Sequence, residues 1–425
     1  MVDPSSWDWE EGRRAISDIA AWRNEFEWVE ELAASPDGEK VAAVVKTGEM
    51  EFGVCENGAA WEETFDKVWY LRYAPDGRLT GIVGDNAEWT LAVDGEAWEN
   101  RFDFFWDTRF GARGEHIAGL AQSGGEYQAV MDGEPWENAF ANMTGLTLPP
   151  AGNRAAAVVQ TVSFGQAEIY KFQDGCYSVA VDGEVWGMNF VNVWEPIFSP
   201  DGTRVAAQVR TSLYDYTIAV DGVPWSASFS SVWRPRFSPA DGSATAPVKV
   251  PGGWTLARDG HPIWDRKFAQ LWHHRYSADG ARIAAIAAPK FGRWTVAVDG
   301  EPWKLDFGDL ATDLVLSPDG RRAACVGRNE GKWTAAVDGE VWDGEYDMVY
   351  PPVFSPDGLH VAARVEKNGA FAVLVDGRPL KAAFKWARDP VFSPDGKKLL
   401  VRAVEADGDA ESCVRRVISL NDILG

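Results

Sequence analysis

Two series of Asp-Gly turns alternate along the chain, and their spacing leaves few folds open. The first series, Ser-Pro-Asp-Gly or a close relative, falls at Ser35–Gly38, Ala74–Gly77, Ser199–Gly202, Ser238–Gly242, Ser277–Gly280, Ser317–Gly320, Ser355–Gly358 and Ser393–Gly396, with weaker versions at Gly111–Gly114 and Pro150–Asn153. These turns stand mostly 37 to 40 residues apart, with one interval of 50 from Gly152 to Gly202. The second series runs Asn57-Gly58, Asp94-Gly95, Asp132-Gly133, Asp182-Gly183, Asp221-Gly222, Asp259-Gly260, Asp299-Gly300, Asp338-Gly339 and Asp376-Gly377. Such pairs between alternating apolar residues specify tight hairpins, because the turns need positive φ. Two hairpins per repeat of about 40 residues make one four-stranded sheet per repeat, the pattern of a propeller blade.

The aromatic residues keep the same beat. Three residues after the second glycine comes Trp61, Trp98, Trp136, Trp186, Trp225, Trp303 or Trp342; Trp264 comes one later and Leu380 replaces Trp once. Four residues on sits Phe65, Phe102, Phe140, Phe190, Phe229, Phe268, Phe307, Tyr346 or Phe384. Four further on come Trp69, Trp106, Trp194, Trp233, Trp272 and Tyr350. One repeat therefore reads as strand A ending in the first turn (Pro196–Ser199), strand B (Arg204–Val209), strand C (Thr217–Val220) and strand D with Trp and Phe on one face (Trp225–Phe229).

The chain ends are complementary. From Ile19 to Trp28, Trp22 and Phe26 keep the four-residue spacing of a strand D with no A, B or C before it. At the other end Val391–Ala403 supplies A and B, Cys413–Leu420 supplies C, and no D follows. The fold expected is all-β: a single closed propeller of ten blades over 19–425, its last sheet completed by the N-terminal strand and its edges thereby removed. Residues 1–18 read as an N-terminal tail, with Pro4–Ser6 able to start a short helix. Two smaller tandem propellers remain the alternative, with the long interval as their seam; Thr161–Gly175 reads instead as an elongated B–C hairpin, since Ala155–Gln160 makes a good B and Tyr177–Val181 a good C.

A chain of 425 residues with a formal charge of −23 does not suit nucleic acid or an anionic membrane surface. The four cysteines, Cys55, Cys176, Cys325 and Cys413, form no CxxC and no zinc spacing, which suggests a reducing compartment. The N-terminus is acidic without an apolar segment, and no apolar run reaches the length of a membrane span, so a cytoplasmic location is expected.

Little in the sequence argues for chemistry. The aspartates of the first turns bond their own backbone and are spread around one face of a ring, so neither a catalytic nor a metal site is assigned to them. His273-His274 follow Trp272 in the connection into strand A, where the central channel should open, but no partner ligands stand at metal-binding spacing. Neither a nucleophile elbow nor a phosphate or dinucleotide loop occurs. Trp7 and Trp9 in the tail, and Trp69, Trp106, Trp194, Trp233, Trp272 and Tyr350 in the D–A connections, are the candidate partner-binding residues. The alternative for the latter six is packing within and between blades.

The strand-and-turn unit Pro-x-Phe-Ser-Pro-Asp-Gly resembles the WD40-like repeats of TolB- and tricorn-type propellers over residues 31–403. The added Asp-Gly-Glu-x-Trp-x3-Phe-x3-Trp element, in a tryptophan-rich acidic chain with 22 tryptophans, resembles the TmcD family, the tryptophan-rich subunits of the Tmc transmembrane redox complexes of sulfate-reducing bacteria. That resemblance implies a cofactor-free cytoplasmic subunit beside an iron–sulfur subunit and a membrane cytochrome b. The function expected is a non-catalytic scaffold or interaction subunit of an electron-transfer complex, peripheral to the inner membrane through its partners. The alternative is a sensor that binds a small molecule or peptide at the channel mouth.

Overall fold

The computed structural model describes residues 3–165, 168–407 and 410–425. The described residues form ten antiparallel sheets. We number the blades from the first A strand, so that strands A begin at Val29, Lys67, Phe104, Met143, Asn192, Arg236, Gln270, Leu310, Met348 and Trp386. In blade 5, Asn192–Phe198, Val205–Arg210, Tyr216–Val220 and Val223–Pro224 pair in that order. The second Asp-Gly pair of each blade adopts the predicted geometry: Asp94 has φ 49° and Gly95 φ 91°. In the first turns the aspartate bonds its own loop, as where Ser199 Oγ donates to Asp201 Oδ1 at 2.5 Å and the Thr203 N–H to the same oxygen at 3.0 Å.

Ten seams bury the core, one between each pair of neighbouring blades. Phe65 meets Leu71 and Val83 between blades 1 and 2, Phe307 meets Leu314 and Ala323 between blades 7 and 8, and Phe384 meets Phe392 and Leu399 between blades 9 and 10. The last seam joins Val404 and Cys413 of blade 10 to Val41, Val45 and Cys55 of blade 1, so the ring closes.

Closure uses a different segment from the one expected. Gly12–Asp18, assigned to the tail by sequence, is the fourth strand of blade 10 and pairs antiparallel with Ala410–Ser419, Gly12 opposite Val417. Ile19–Glu25 is a helix, because Asp18 caps it through the Ala21 N–H at 3.2 Å and two alanines favour it. Trp22 and Ile19 of that helix are buried in the closing seam.

Strand D is also shorter than its aromatic spacing suggested. It pairs for two residues after the turn, leaves the ladder at the tryptophan, and returns for one bridge at the phenylalanine, as between Tyr216 and Phe229. A hydroxyl on strand C holds the excursion: Thr217 Oγ1 donates to Ala227 O at 2.7 Å, and Ser178 Oγ to Met188 O at 2.8 Å. The excursion places each indole against the turn glycine of the next blade, Trp61 on Gly95, Trp98 on Gly133 and Trp264 on Gly300. In blade 4 the predicted strands B and C are present as Ala156–Gln160 and Tyr177–Val181. Their connection is no elongated hairpin: it carries a helix, Ile169–Asp174. Gln166 and Ala167 of that stretch lie outside the described residues.

Candidate functional site

Strand A is the inner edge of every blade: side chains from the A strands of blades 5, 6, 7 and 8 line a single cavity of about 410 Å³. That convergence makes the A strands the wall of the central channel. Most of them share a distortion. In blade 2, Trp69 stands opposite Ile82 and Arg72 opposite Thr80, so one extra residue is inserted between them. The inserted turn carries positive φ at Glu31, Tyr70, Asp107, Glu195, His273 and Asp313. A bulge re-aims side chains, and here Glu195, His273 and Asp313 of the inserted turns line the channel cavity.

The six strand A aromatics sit at or just before this bulge, within strand A in blades 2, 3, 5 and 7 rather than in the connecting loop. Each pairs across its own blade with an aromatic on strand C: Trp69 with Trp89 at 6.0 Å, Trp106 with Tyr127 at 5.9 Å, Trp194 with Tyr216 at 6.2 Å, Trp233 with Trp254 at 5.6 Å, Trp272 with Trp294 at 4.4 Å and Tyr350 with Phe371 at 6.1 Å between ring centres. Packing occupies one side of each ring. The other side of Trp69, Trp194 and Trp233 stays open, with exposures of 48%, 36% and 40%. Around Trp69 the open surface widens into an apolar groove of about 530 Å³ between Trp28, Phe52, Trp89, Phe104 and Phe105. Trp28 and Phe104 were not among the residues singled out by sequence. Trp28 lies outside the regular Trp-Phe-Trp spacing, and Phe104 reads as an ordinary strand residue.

Trp7 and Trp9 lie elsewhere. They stack on each other at 6.2 Å, half-buried, and Trp9 Nε1 donates to Pro4 O at 2.9 Å. Lys398 Nζ, just past the last first-series turn, donates to Trp9 O at 2.9 Å, and Arg415 donates to Asp8 O. Arg415 also reaches Asp37 O at 2.9 Å, in the first turn of blade 1. The tail tryptophans are therefore fixed on the turn face, opposite the strand A aromatics. The expected short helix is a 3-10 turn, Pro4–Ser6, capped by Asp3.

The channel cavity holds both histidines, now seen to be strand residues at the bulge. His274 is fully buried; Thr245 Oγ1, which donates to Arg236 O at 3.2 Å, accepts from His274 Nε2 at 2.9 Å. Burial, reinforced by the charges of Arg236 and Arg275, holds His274 neutral, down to about 3. His273 is also held below its usual value, by burial and then Arg275. Beside them stand Arg234, Arg236 and Arg275, with Glu195 and Asp313 as the acids of the wall. Burial, with Arg275 and Arg234 as cationic neighbours, brings Arg236 down to about 10. Burial lifts the Asp313 carboxyl above its usual range. The arginines were legible in retrospect: Trp-x-x-Arg-aromatic recurs at Trp69–Tyr73, Trp106–Phe110, Trp233–Phe237 and Trp272–Tyr276.

Among the described residues no cluster of three His, Cys, Asp or Glu side chains is placed to hold a metal ion. No described helix is long and apolar enough to cross a membrane. All four cysteines are free and buried.

No family model matches the chain, and no curated protein matches it. Among solved structures it is similar to a putative TolB from Agrobacterium tumefaciens, at 16% identity over 51% of this chain and 85% of that one, with a TM-score of 0.30. It is similar to a puromycin hydrolase, at 15% identity over 85% of this chain and 62% of that one, with a TM-score of 0.35. It is also similar to the Cps50 (Swd1) β-propeller domain of Myceliophteria thermophila, at 12% identity over 73% of this chain and 95% of that one, with a TM-score of 0.31. The ten sheets and their closed sequence of seams, independently of these similarities, make the chain a β-propeller.

Proposed function

We propose that this propeller is a non-catalytic interaction protein that docks a partner protein on its strand A aromatic face. The observation that carries the proposal is the groove between Trp28, Phe52, Trp69, Trp89, Phe104 and Phe105, in which Trp28 packs on Phe52 and Trp69 on Trp89 while Trp28, Trp69 and Phe104 stay exposed. Rigid aromatics held this way bind at low entropic cost. The occupant we infer is an apolar segment flanked by basic residues, because the groove belongs to a chain of net charge −23 and Glu30, which accepts from Trp28 Nε1, stands at its edge, although Lys67 also lines it. The resemblance of the tryptophan-rich repeat narrows the proposal to an accessory subunit on the cytoplasmic side of a membrane-associated electron-transfer complex, beside iron–sulfur and cytochrome b subunits.

The test is site-directed photocrosslinking in native membranes. A photoreactive phenylalanine at Phe104 should capture one defined partner subunit, while the same probe at Arg321, on the turn face, should not. Replacing Trp69 and Phe104 together with Ser should abolish co-purification in mild detergent. A chain that elutes alone, or crosslinks equally from both faces, would sink the proposal.

A further inference from the structure

In blades 2 and 3 the arginine of Trp-x-x-Arg is satisfied by protein. Arg72 Nη1 donates to Thr108 O at 2.8 Å, and Arg109 Nη2 pairs with Asp107 Oδ1 at 2.7 Å. In blades 6 and 7 it is not. Among the described residues, none of Arg234, Arg236 and Arg275 makes a side-chain hydrogen bond or ion pair with a protein group, yet all three line the same cavity. The two carboxylates there offset them only in part, Glu195 attracting Arg236 and Asp313 attracting Arg275 without a direct ion pair. Glu195 is held by Gln208 Nε2 at 2.6 Å, and Asp313 lies against Thr312 and His273. Three guanidiniums against two carboxylates leave this wall cationic in a chain whose net charge is −23.

Unpaired guanidiniums that crowd one another are costly, and each weakens its neighbours' protonation, as burial and Arg275 do for Arg236. An oxyanion relieves this, because each guanidinium offers a fork of donors matched to carboxylate or phosphate oxygens. The cavity also exceeds the space a bare oxyanion fills: at about 410 Å³ it has the size of a small organic ligand site, and Trp233 and Trp272 line it. We propose that this channel cavity binds a small organic anion, its carboxylate or phosphate on Arg236 and Arg275 with Arg234 in reach, and its flat apolar part against Trp233 and Trp272. His273, neutral at the bulge and part of the cavity lining, supplies one further donor. This site is distinct from the aromatic groove and stands whether or not a partner docks there.

The experiment uses the full chain and defined probes. Phenyl phosphate and benzoate carry the two anionic head groups, benzyl alcohol lacks the charge, and inorganic phosphate lacks the ring. Calorimetry and tryptophan fluorescence should show one of the two aromatic anions binding at least about tenfold more tightly than benzyl alcohol and inorganic phosphate. Arg236→Gln and Arg275→Gln should each weaken that binding by about tenfold or more, and Arg321→Gln, on the opposite face, should leave it unchanged. If Arg236→Gln does not fold, Arg275→Gln, whose guanidinium is exposed to the channel, carries the test alone. Inorganic phosphate binding as tightly as phenyl phosphate, equal binding of benzyl alcohol, or affinity unaltered in the folded arginine variants would each overturn the assignment.

Discussion

The Trp22 indole lies over Gly58: a Cβ on that glycine would stand 3.7 Å from the indole nitrogen. This is the contact each strand D tryptophan makes with the turn glycine of the next blade, reproduced across the closing seam by a helix. Trp22→Ala should therefore act as a core truncation, costing about 3–5 kcal/mol by urea denaturation. A loss below about 1 kcal/mol would show that the closing seam does not depend on it.

The strand Gly12–Asp18 covers the outer edge of Ala410–Ser419. Removing residues 1–11 gives up the tethers from Lys398 and Arg415 but leaves that edge paired. This truncation should keep the oligomeric state of the full chain. Removing 1–18 bares a ten-residue strand edge and should give oligomers in size exclusion with light scattering. A stable monomer lacking 1–18 would show that closure needs only the helix.

Gly327 sits on strand B of blade 8, where a Cβ would come within 2.1 Å of the fully buried Phe307 ring. Gly327→Ala should destabilise by about 1–3 kcal/mol through overpacking. Gly369 has nothing within 4 Å but a φ of 74°, so Gly369→Ala should cost only about 1 kcal/mol of backbone strain. Equal midpoints for the two variants would contradict the packing.

Burial pushes the thiols of Cys325 and Cys413 up to about 12 and raises those of Cys55 and Cys176. The thiol form is unreactive. A chromogenic disulfide reagent at about pH 8 should titrate no cysteine in the folded chain and all four in denaturant. Rapid reaction of any thiol in the folded state would show that its seam opens.

His274, at about 3 in the fold against an ordinary 6.5, gives a signed pH dependence. Above 6.5 neither state binds its proton and the residue has no effect. Below that the unfolded chain binds a proton the fold refuses, so stability falls as pH drops toward 3. His274→Gln should flatten the decline between about pH 6.5 and 4. Below about pH 4 a second loss follows as carboxylates such as Asp201, held at about 2 by Ser199 and Thr203, take up protons more readily unfolded than folded. An identical pH profile for His274→Gln and wild type would rule out the buried neutral histidine.

Much of this architecture was written locally. Asp94-Gly95 encodes a positive-φ hairpin by itself, Asp201 bonds its own turn, and Phe229 is spaced to return to strand C, so blade number and strand order follow from short stretches. The closing strand was not legible: Trp22 and Phe26 mimic the spacing of strand D, while Gly12–Asp18 carries no repeat signature and becomes a strand only by meeting Ala410–Ser419. The candidate sites divide the same way. The strand A tryptophans were visible as a periodic row, but whether a ring is covered depends on neighbouring blades. Arg72 and Arg236 occupy the same place in their repeats, and the first is paired while the second is open to the channel. Local backbone preference fixes what one blade is; which groups face one another across the ring depends on residues far apart in sequence, and those meetings exist only once the ring has closed.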